Sequence, residues 1–190
     1  MKLRSFLSLV ALFPAVAAAQ GVDNRQGQLE LLGQAPSACL MRAPVATGGV
    51  NATYSNTSVS SGEIQIVQLA NPQTAEPQAA SIELALPVVC NSAHRLLVRS
   101  ANGGLLRDGG SPANVQRAGG FGEFLGYEMQ TNWAGQDVSA RSDVARQISI
   151  DSSNAAAGDV ALQFRVAAGG GPLVAGRYAD NIVVEFQASN

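Results

Sequence analysis

Short runs that alternate apolar and polar residues constrain the fold of this chain more than any other feature. The clearest run is 80–90, in which Ile82, Leu84, Leu86 and Val88 share one face. A period of two residues is that of a β-strand with one buried face. Roughly eight such runs are separated by turn-forming residues, and no convincing amphipathic helix is present. The sequence therefore predicts an all-β protein, an antiparallel sandwich or barrel.

The last run, residues 182–187, lies close to the end of the printed chain. It predicts a strand with Ile182, Val184 and Phe186 on its buried face. Because few residues follow, we expect no later strand of this chain to pair with its far edge. An unpaired edge is a template for pairing with another chain, so the covering of this edge is central to the fold.

The N-terminus has the pattern of a secretory signal peptide. Lys2 and Arg4 precede an apolar run over residues 6–16, and small alanines occupy residues 17–19. We expect residues 1–19 to be removed and the mature chain to be exported through the periplasm, to the cell surface or the medium. The alternative is a membrane anchor, but the run is shorter than the roughly 20 residues that cross a bilayer.

Charge and composition argue against several classes of function. Removal of Lys2 and Arg4 reduces the basic residues from 12 to 10, against 14 acidic residues, so the mature net charge is −4. Such a balance does not favour nucleic-acid binding. No cofactor motif is present, and the Gly-rich segment 101–120 lacks the P-loop pattern, so we predict a flexible surface loop there.

Catalysis is not expected, because no catalytic set of residues is present. The single histidine, His94, has no marked partner and is predicted as a surface or edge residue. Tyr178 and Asp180 could serve an enzyme as an acid–base pair. The favoured interpretation is that these two residues hold a turn through hydrogen bonds.

The two cysteines, Cys39 and Cys90, indicate a disulfide in an exported chain. Closing a loop of about fifty residues would stabilise the protein by roughly 4 kcal/mol. Two free thiols are the alternative.

The segment 20–38 is polar and has only one short strand-like stretch, residues 28–32. Its apolar or small residues lie on one face, and they are Leu29, Leu31, Gly33 and Ala35. Two interpretations stay open. The segment either joins a first strand of its own domain or extends towards another molecule.

Several short motifs follow one another in a particular order along the chain. They are a Cys soon after the mature N-terminus, Val88-Val-Cys90, Leu125-Gly-Tyr127, Trp133-Ala-Gly135, and an ending that carries Gly176, Tyr178, Asp180, Ile182 and Val184. Together they resemble the spore coat U domain, a family that includes subunits of archaic chaperone–usher pili. The likeness covers about residues 28–187.

The resemblance implies an immunoglobulin-like sandwich over residues 39–190 that lacks its last strand. The groove left by that strand would be lined by Ile182, Val184 and Phe186. A periplasmic chaperone fills such a groove first, and at the outer-membrane usher the extension of the next subunit replaces it. The donor segment would be 20–38, with Leu29, Leu31, Gly33 and Ala35 entering the neighbouring groove.

The function that follows from the resemblance is structural. We expect a subunit of a surface fibre, built by donor-strand complementation, that supports adhesion or biofilm formation. One alternative is a self-contained secreted coat or matrix protein whose N-terminal segment folds back into its own domain. The other is a carbohydrate-binding module.

Overall fold

The computed structural model describes residues 31–188, and over this range the protein is built from antiparallel strands without a helix. The predicted all-β, antiparallel fold is therefore confirmed. Across the same residues, no helical segment has the length and apolar character needed to cross a membrane. The signal peptide predicted for residues 1–19, and residues 20–30, lie outside the described range.

Fourteen strands are present in the described range. In chain order they are β1 (Cys39–Met41), β2 (Val45–Val50), β3 (Ala52–Asn56), β4 (Gly62–Ile66), β5 (Ala80–Cys90), β6 (His94–Ser100), β7 (Leu105–Arg107), β8 (Phe124–Leu125), β9 (Glu128–Trp133), β10 (Gln136–Arg141), β11 (Gln147–Ser152), β12 (Ala156–Val166), β13 (Tyr178–Ala179) and β14 (Ile182–Ala188).

The strands form two principal sheets and two small ones. The larger sheet has the order β1-β5-β12-β9-β10, with β2 beside β1 on the same side of β5. The smaller principal sheet has the order β11-β6-β14. A third sheet joins β13, β7 and β8, and β3 and β4 form a separate hairpin.

One apolar core lies between the two principal sheets. The alternating residues of β5 are buried as predicted, and so are Leu96 and Val98 on β6 and Val160 and Leu162 on β12. Removing one such side chain from water stabilises the fold by about 1.5–3 kcal/mol. Since both sheets contribute to the same cluster, their inner faces pack together as in a sandwich.

Pro87 of β5 has no N–H group to donate to a ladder, a feature typical of an edge strand or a bulge. The structure places β5 between β12 and the pair β1 and β2, so β5 is not an edge strand. Pro87 instead lies opposite residues 42–44, where the neighbouring chain leaves the ladder, and its carbonyl accepts the Arg42 N–H at 2.9 Å. The missing donor therefore coincides with an interruption of the partner strand.

The Gly-rich segment 101–120, predicted as a flexible surface loop, contains β7 and is anchored by polar contacts. The Glu123 carboxylate accepts hydrogen bonds from Arg107 Nε at 3.0 Å and from Asn114 Nδ2 at 3.3 Å. The backbone N–H of Ser111 donates to the same carboxylate at 3.3 Å. These contacts hold the loop against the small sheet of β7, β8 and β13.

Candidate functional site

The last described strand, β14, is paired on one side only. It runs antiparallel to β6, from the pair Ile182 and Ser100 to the pair Ala188 and His94. No strand among residues 31–188 pairs with its other side. A row of backbone donors and acceptors is therefore available at this edge.

The direction of each backbone group in β14 follows from one hydrogen bond. The Ala101 N–H donates to the Asn181 carbonyl at 2.8 Å, so bonding towards β6 starts at residue 181. Bonded and non-bonded pairs alternate in an antiparallel ladder. The N–H and C=O groups of Ile182, Val184 and Phe186 consequently point away from β6, towards the free edge.

A cavity of about 900 Å³ lies beside this edge. Ile182 and Val184 form part of its wall on β14, while Leu84 and Leu86 of β5 and Leu162 of β12 bring the apolar core to its surface. The cavity thus adjoins buried core side chains and the backbone groups of β14 that have no partner strand among residues 31–188. A strand placed there could form hydrogen bonds to the edge and bury its alternate side chains in the cavity.

Phe186 has a different environment from the other two residues predicted to line the groove. Its ring centroid lies 5.7 Å from that of Trp133 in an edge-to-face arrangement and 5.9 Å from the ring of His94. All three predicted groove residues are half-buried. Ile182 and Val184 line the cavity, and Phe186 belongs to an aromatic cluster at the far end of the strand.

The β3–β4 hairpin forms another wall of the cavity. Tyr54, Ile64 and Ile66 are partly buried against the core and line the cavity as well. Burial raises the pKa of the Tyr54 hydroxyl. Gly62 faces the Tyr54 ring so closely that a Cβ atom there would collide with it.

Asp180 lies at the entrance to β14 and accepts four hydrogen bonds. Its Oδ2 atom accepts from the Ser100 hydroxyl and, at 2.7 Å, from the Tyr127 hydroxyl. Its Oδ1 atom accepts the N–H of Asn102 at 2.9 Å and the N–H of Asn181 at 2.8 Å. Burial, above all, raises the pKa of Tyr127, with a further contribution from the Asp180 charge.

Tyr178 and Gly176 lie in the segment before Asp180. The Tyr178 hydroxyl donates to the carbonyls of Gly122 at 3.0 Å and Val174 at 2.8 Å. Gly176 has a φ of 152°, and a Cβ atom there would lie 3.0 Å from Arg107 Cγ. Tyr178 and Asp180 therefore have separate hydrogen-bond partners, and each holds a different part of the chain.

The predicted Cys39–Cys90 disulfide is confirmed, and it joins paired residues of β1 and β5. Both sulfurs lie within 4.8 Å of a ring nitrogen of His94. The sulfurs are bonded to each other, and both ring nitrogens have hydrogen-bond partners. The chemistry of this set is accordingly that of a structural crosslink beside a buried histidine.

The prediction that His94 lies at the surface or an edge is wrong, since only 1% of the residue is exposed. His94 Nδ1 lies 2.8 Å from the Ser92 carbonyl, and Nε2 lies 2.8 Å from Trp133 Nε1. The indole N–H can only donate, so Nε2 is the acceptor and Nδ1 carries the proton. The same alternation that buries Leu96 and Val98 places His94 on the inner face, and this signal could have located it.

The residues predicted to form the donor strand are only partly described. Leu29 lies outside the described residues. Leu31 is 95% exposed, and Gly33 and Ala35 are also exposed and belong to no strand. Their role as a donor stays a prediction.

No protein-family model, curated protein or solved structure matches this chain. The fold and the site define its class by themselves. It is an all-β protein of two facing antiparallel sheets in which a strand edge without a partner among residues 31–188 adjoins an apolar cavity.

Proposed function

We propose that this protein is a structural subunit of an exported surface fibre, joined to its neighbours by strand addition at β14. The observation that supports this function is the free edge of β14 beside the cavity of about 900 Å³. An apolar edge of this kind associates with another strand unless it is covered. A strand from a second molecule satisfies the backbone groups and covers the core residues together.

The proposed donor is the segment 20–38 of a neighbouring copy. Its side chains Leu29, Leu31, Gly33 and Ala35 alternate, so they would enter the cavity while the backbone pairs with Ile182 and Val184. Before assembly, a periplasmic chaperone would supply a strand to the same edge. An outer-membrane usher would then exchange that strand for the donor of the next subunit, and the resulting fibre would serve adhesion.

The experiment compares the mature chain with a variant lacking residues 21–33. We expect the mature chain to assemble into multimers that electron microscopy and gel filtration detect, while the deletion variant stays monomeric. A synthetic peptide of residues 20–38 should bind the deletion variant in a 1:1 complex, measured by native mass spectrometry. The proposal would be contradicted if the mature chain remained monomeric and the deletion variant did not bind the peptide. This outcome would favour the self-contained protein.

A further inference from the structure

The carboxylate of Asp180 joins three segments of the chain at one point. Ser100 ends β6, Asn102 lies in the turn that follows β6, and Tyr127 directly precedes β9. The Ser100 hydroxyl also accepts the Gly103 N–H at 2.8 Å, and this glycine has a φ of 79°. The turn after β6 is therefore folded around the residue that leads into β14.

This point coincides with the start of the exposed strand edge. The first pair of the β14–β6 ladder is Ile182 with Ser100, and Ser100 is itself a donor to Asp180. Asn102 Nδ2 adds a hydrogen bond to the Ala179 carbonyl at 3.2 Å. The chain is thus held on both sides of Asp180 immediately before Ile182 turns its backbone groups towards the free edge.

The hydroxyl groups that donate to Asp180 are buried, which favours strong hydrogen bonds to its carboxylate. Ser100 and Tyr127 are 1% and 5% exposed, so water competes little for their hydroxyl groups. Hydrogen bonds to an ionised acceptor are shorter and stronger than those between neutral groups. Since β14 has a paired neighbour on one side only among residues 31–188, its starting position depends heavily on this carboxylate.

Asp180 and Tyr127 also belong to the wall of the cavity, next to Ile182. A shift of Asp180 would therefore move the β14 wall relative to the core residues that form the other surfaces. The width of the cavity and the direction of the edge groups would change together. The disulfide does not compensate for this, because Cys39 and Cys90 lie near His94, at the opposite end of β6 from Ser100.

We propose that Asp180 is a positioning residue that sets the start of β14 and thereby the readiness of its free edge to accept a strand. The effect of Asp180 on strand acceptance rests on the proposed function, whereas its effect on the position of β14 does not. The two oxygens of the carboxylate already accept four hydrogen bonds, so Asp180 would act through its own chain and not by accepting a hydrogen bond from the incoming strand.

Hydrogen exchange of the mature chain tests the positioning role directly. The N–H groups of Val183 and Glu185 point towards β6, so their exchange reports on the β14 ladder. The Asp180→Asn variant should raise their exchange at least about tenfold, as expected for lost hydrogen bonds to a charged group. Tyr127→Phe removes one donor and should give a smaller increase, and the exposed Asp159 provides the control variant Asp159→Asn, which should give none.

Two results would overturn the positioning role. One is exchange at Val183 and Glu185 in Asp180→Asn that stays within about twofold of the wild type, well below the tenfold effect. The other is an equal rise in the buried strands β5 and β12, which would indicate general loss of stability. If Asp180→Asn does not fold, exchange at Val183 and Glu185 in Tyr127→Phe decides the test.

A separate measurement addresses the effect of Asp180 on the acceptance of a strand at the edge of β14. The peptide of residues 20–38 is added to the variant that lacks residues 21–33 and retains Asp180. It should protect the Ile182 and Val184 amides from hydrogen exchange. With Asp180→Asn in the same background, the peptide should bind at least about tenfold more weakly. If the deletion variant with Asp180 intact binds no peptide, the proposed donor segment is wrong, while the exchange result still decides the positioning role of Asp180. If both proteins bind equally well, Asp180 does not control acceptance.

Discussion

At the scale of single residues, the buried polar side chains restrict the arrangement of the core more than the apolar ones do. His94 and Trp133 satisfy each other inside the core through a hydrogen bond of 2.8 Å. An unsatisfied buried donor costs free energy, whereas a satisfied pair fixes one arrangement of the side chains. The pair therefore specifies how the start of β6 packs against the end of β9.

The first prediction concerns this pair. His94→Leu should lower the free energy of unfolding by roughly 1–3 kcal/mol, because the Trp133 N–H is left buried without an acceptor. His94→Gln retains an acceptor and should be destabilised less. Urea denaturation followed by circular dichroism measures both variants. Equal losses for Leu and Gln would show that the hydrogen bond contributes nothing beyond packing.

The alternation of the sequence predicted which aliphatic residues are buried, but it did not predict the partners of the polar ones. Ile82, Leu84 and Leu86 lie on the inner face as expected. The four donors of Asp180 come from segments up to 80 residues away. Hydrogen-bond partners across such distances depend on the turns between strands, and the turn geometry is weakly encoded in the sequence.

At the scale of strands, turns decided which elements could be predicted. Residues 126 and 127 separate β8 from β9, and β10 follows β9 after only two residues. Ala134 and Gly135, with φ of 50° and 77°, form a two-residue hairpin turn that pairs Gln136 with Trp133. Positive φ at both central residues is typical of a type I′ turn, but Ala-Gly is a weak sequence signal for it.

The free edge of β14 leads to a second prediction. In Val184→Pro the lost N–H is one that points away from β6, so the ladder to β6 keeps its hydrogen bonds. Binding of the peptide of residues 20–38 should nevertheless fall by at least about tenfold through the lost bond and the bulk of the ring. Titration calorimetry on the variant lacking residues 21–33 measures this.

Val184→Ala is the matched control, because it shortens the same side chain and retains the amide. It should bind the peptide more tightly than Val184→Pro. Similar affinities for the two variants would mean that the edge amide of Val184 takes no part in binding.

The small sheet of β7, β8 and β13 allows a prediction of pH dependence. Hydrogen bonds from Arg107, and then from Asn114 and Ser111, lower the pKa of Glu123. A carboxyl group whose pKa is lowered by folding stabilises the protein at pH values above its ordinary pKa of about 4.3. That contribution is lost as the pH falls through the pKa of the folded state. Glu123→Gln should therefore be less stable than the wild type at pH 6.

The difference between the two proteins should diminish as the pH falls below the ordinary range of a glutamate. Urea denaturation at several pH values from 6 down to about 3 measures this dependence. A difference in stability that stays constant over this range would indicate that the ionisation of Glu123 makes no contribution.

At the scale of the whole molecule, the disulfide ties the first described strand to a central one. Cys39 and Cys90 are 51 residues apart in sequence. The chain-entropy model gives about 4 kcal/mol for a loop of this length. Without the crosslink, β1 is a three-residue strand held by its pairing with β5 and by hydrogen bonds between Ala38 and Asn91.

Replacement of both cysteines by serine should accordingly lower the free energy of unfolding by about 4 kcal/mol. Guanidinium denaturation of the variant and of the oxidised wild type measures the change. The reduced wild type is the control and should match the variant. A loss below about 1 kcal/mol would mean that the crosslink barely restricts the unfolded chain.

The fold class and the final strand could be predicted because they depend on local alternation and on the order of the elements. The cavity could not, since it arises where the hairpin β3–β4, the core of β5 and the edge of β14 meet in space. Val184 was predicted to line a groove because the resemblance implies a missing strand beside the strand that carries it. Tyr54 was not, because nothing in its local sequence indicates what lies opposite it.

The contact between Phe186 and Trp133 has a practical consequence. Trp133 is the only tryptophan of the chain, and its indole ring lies edge to face against a side chain of the exposed strand. Its fluorescence is therefore an intrinsic optical signal from the end of β14, recorded without a label. A change in its emission on mixing would allow the kinetics of association to be followed in real time with the unmodified protein.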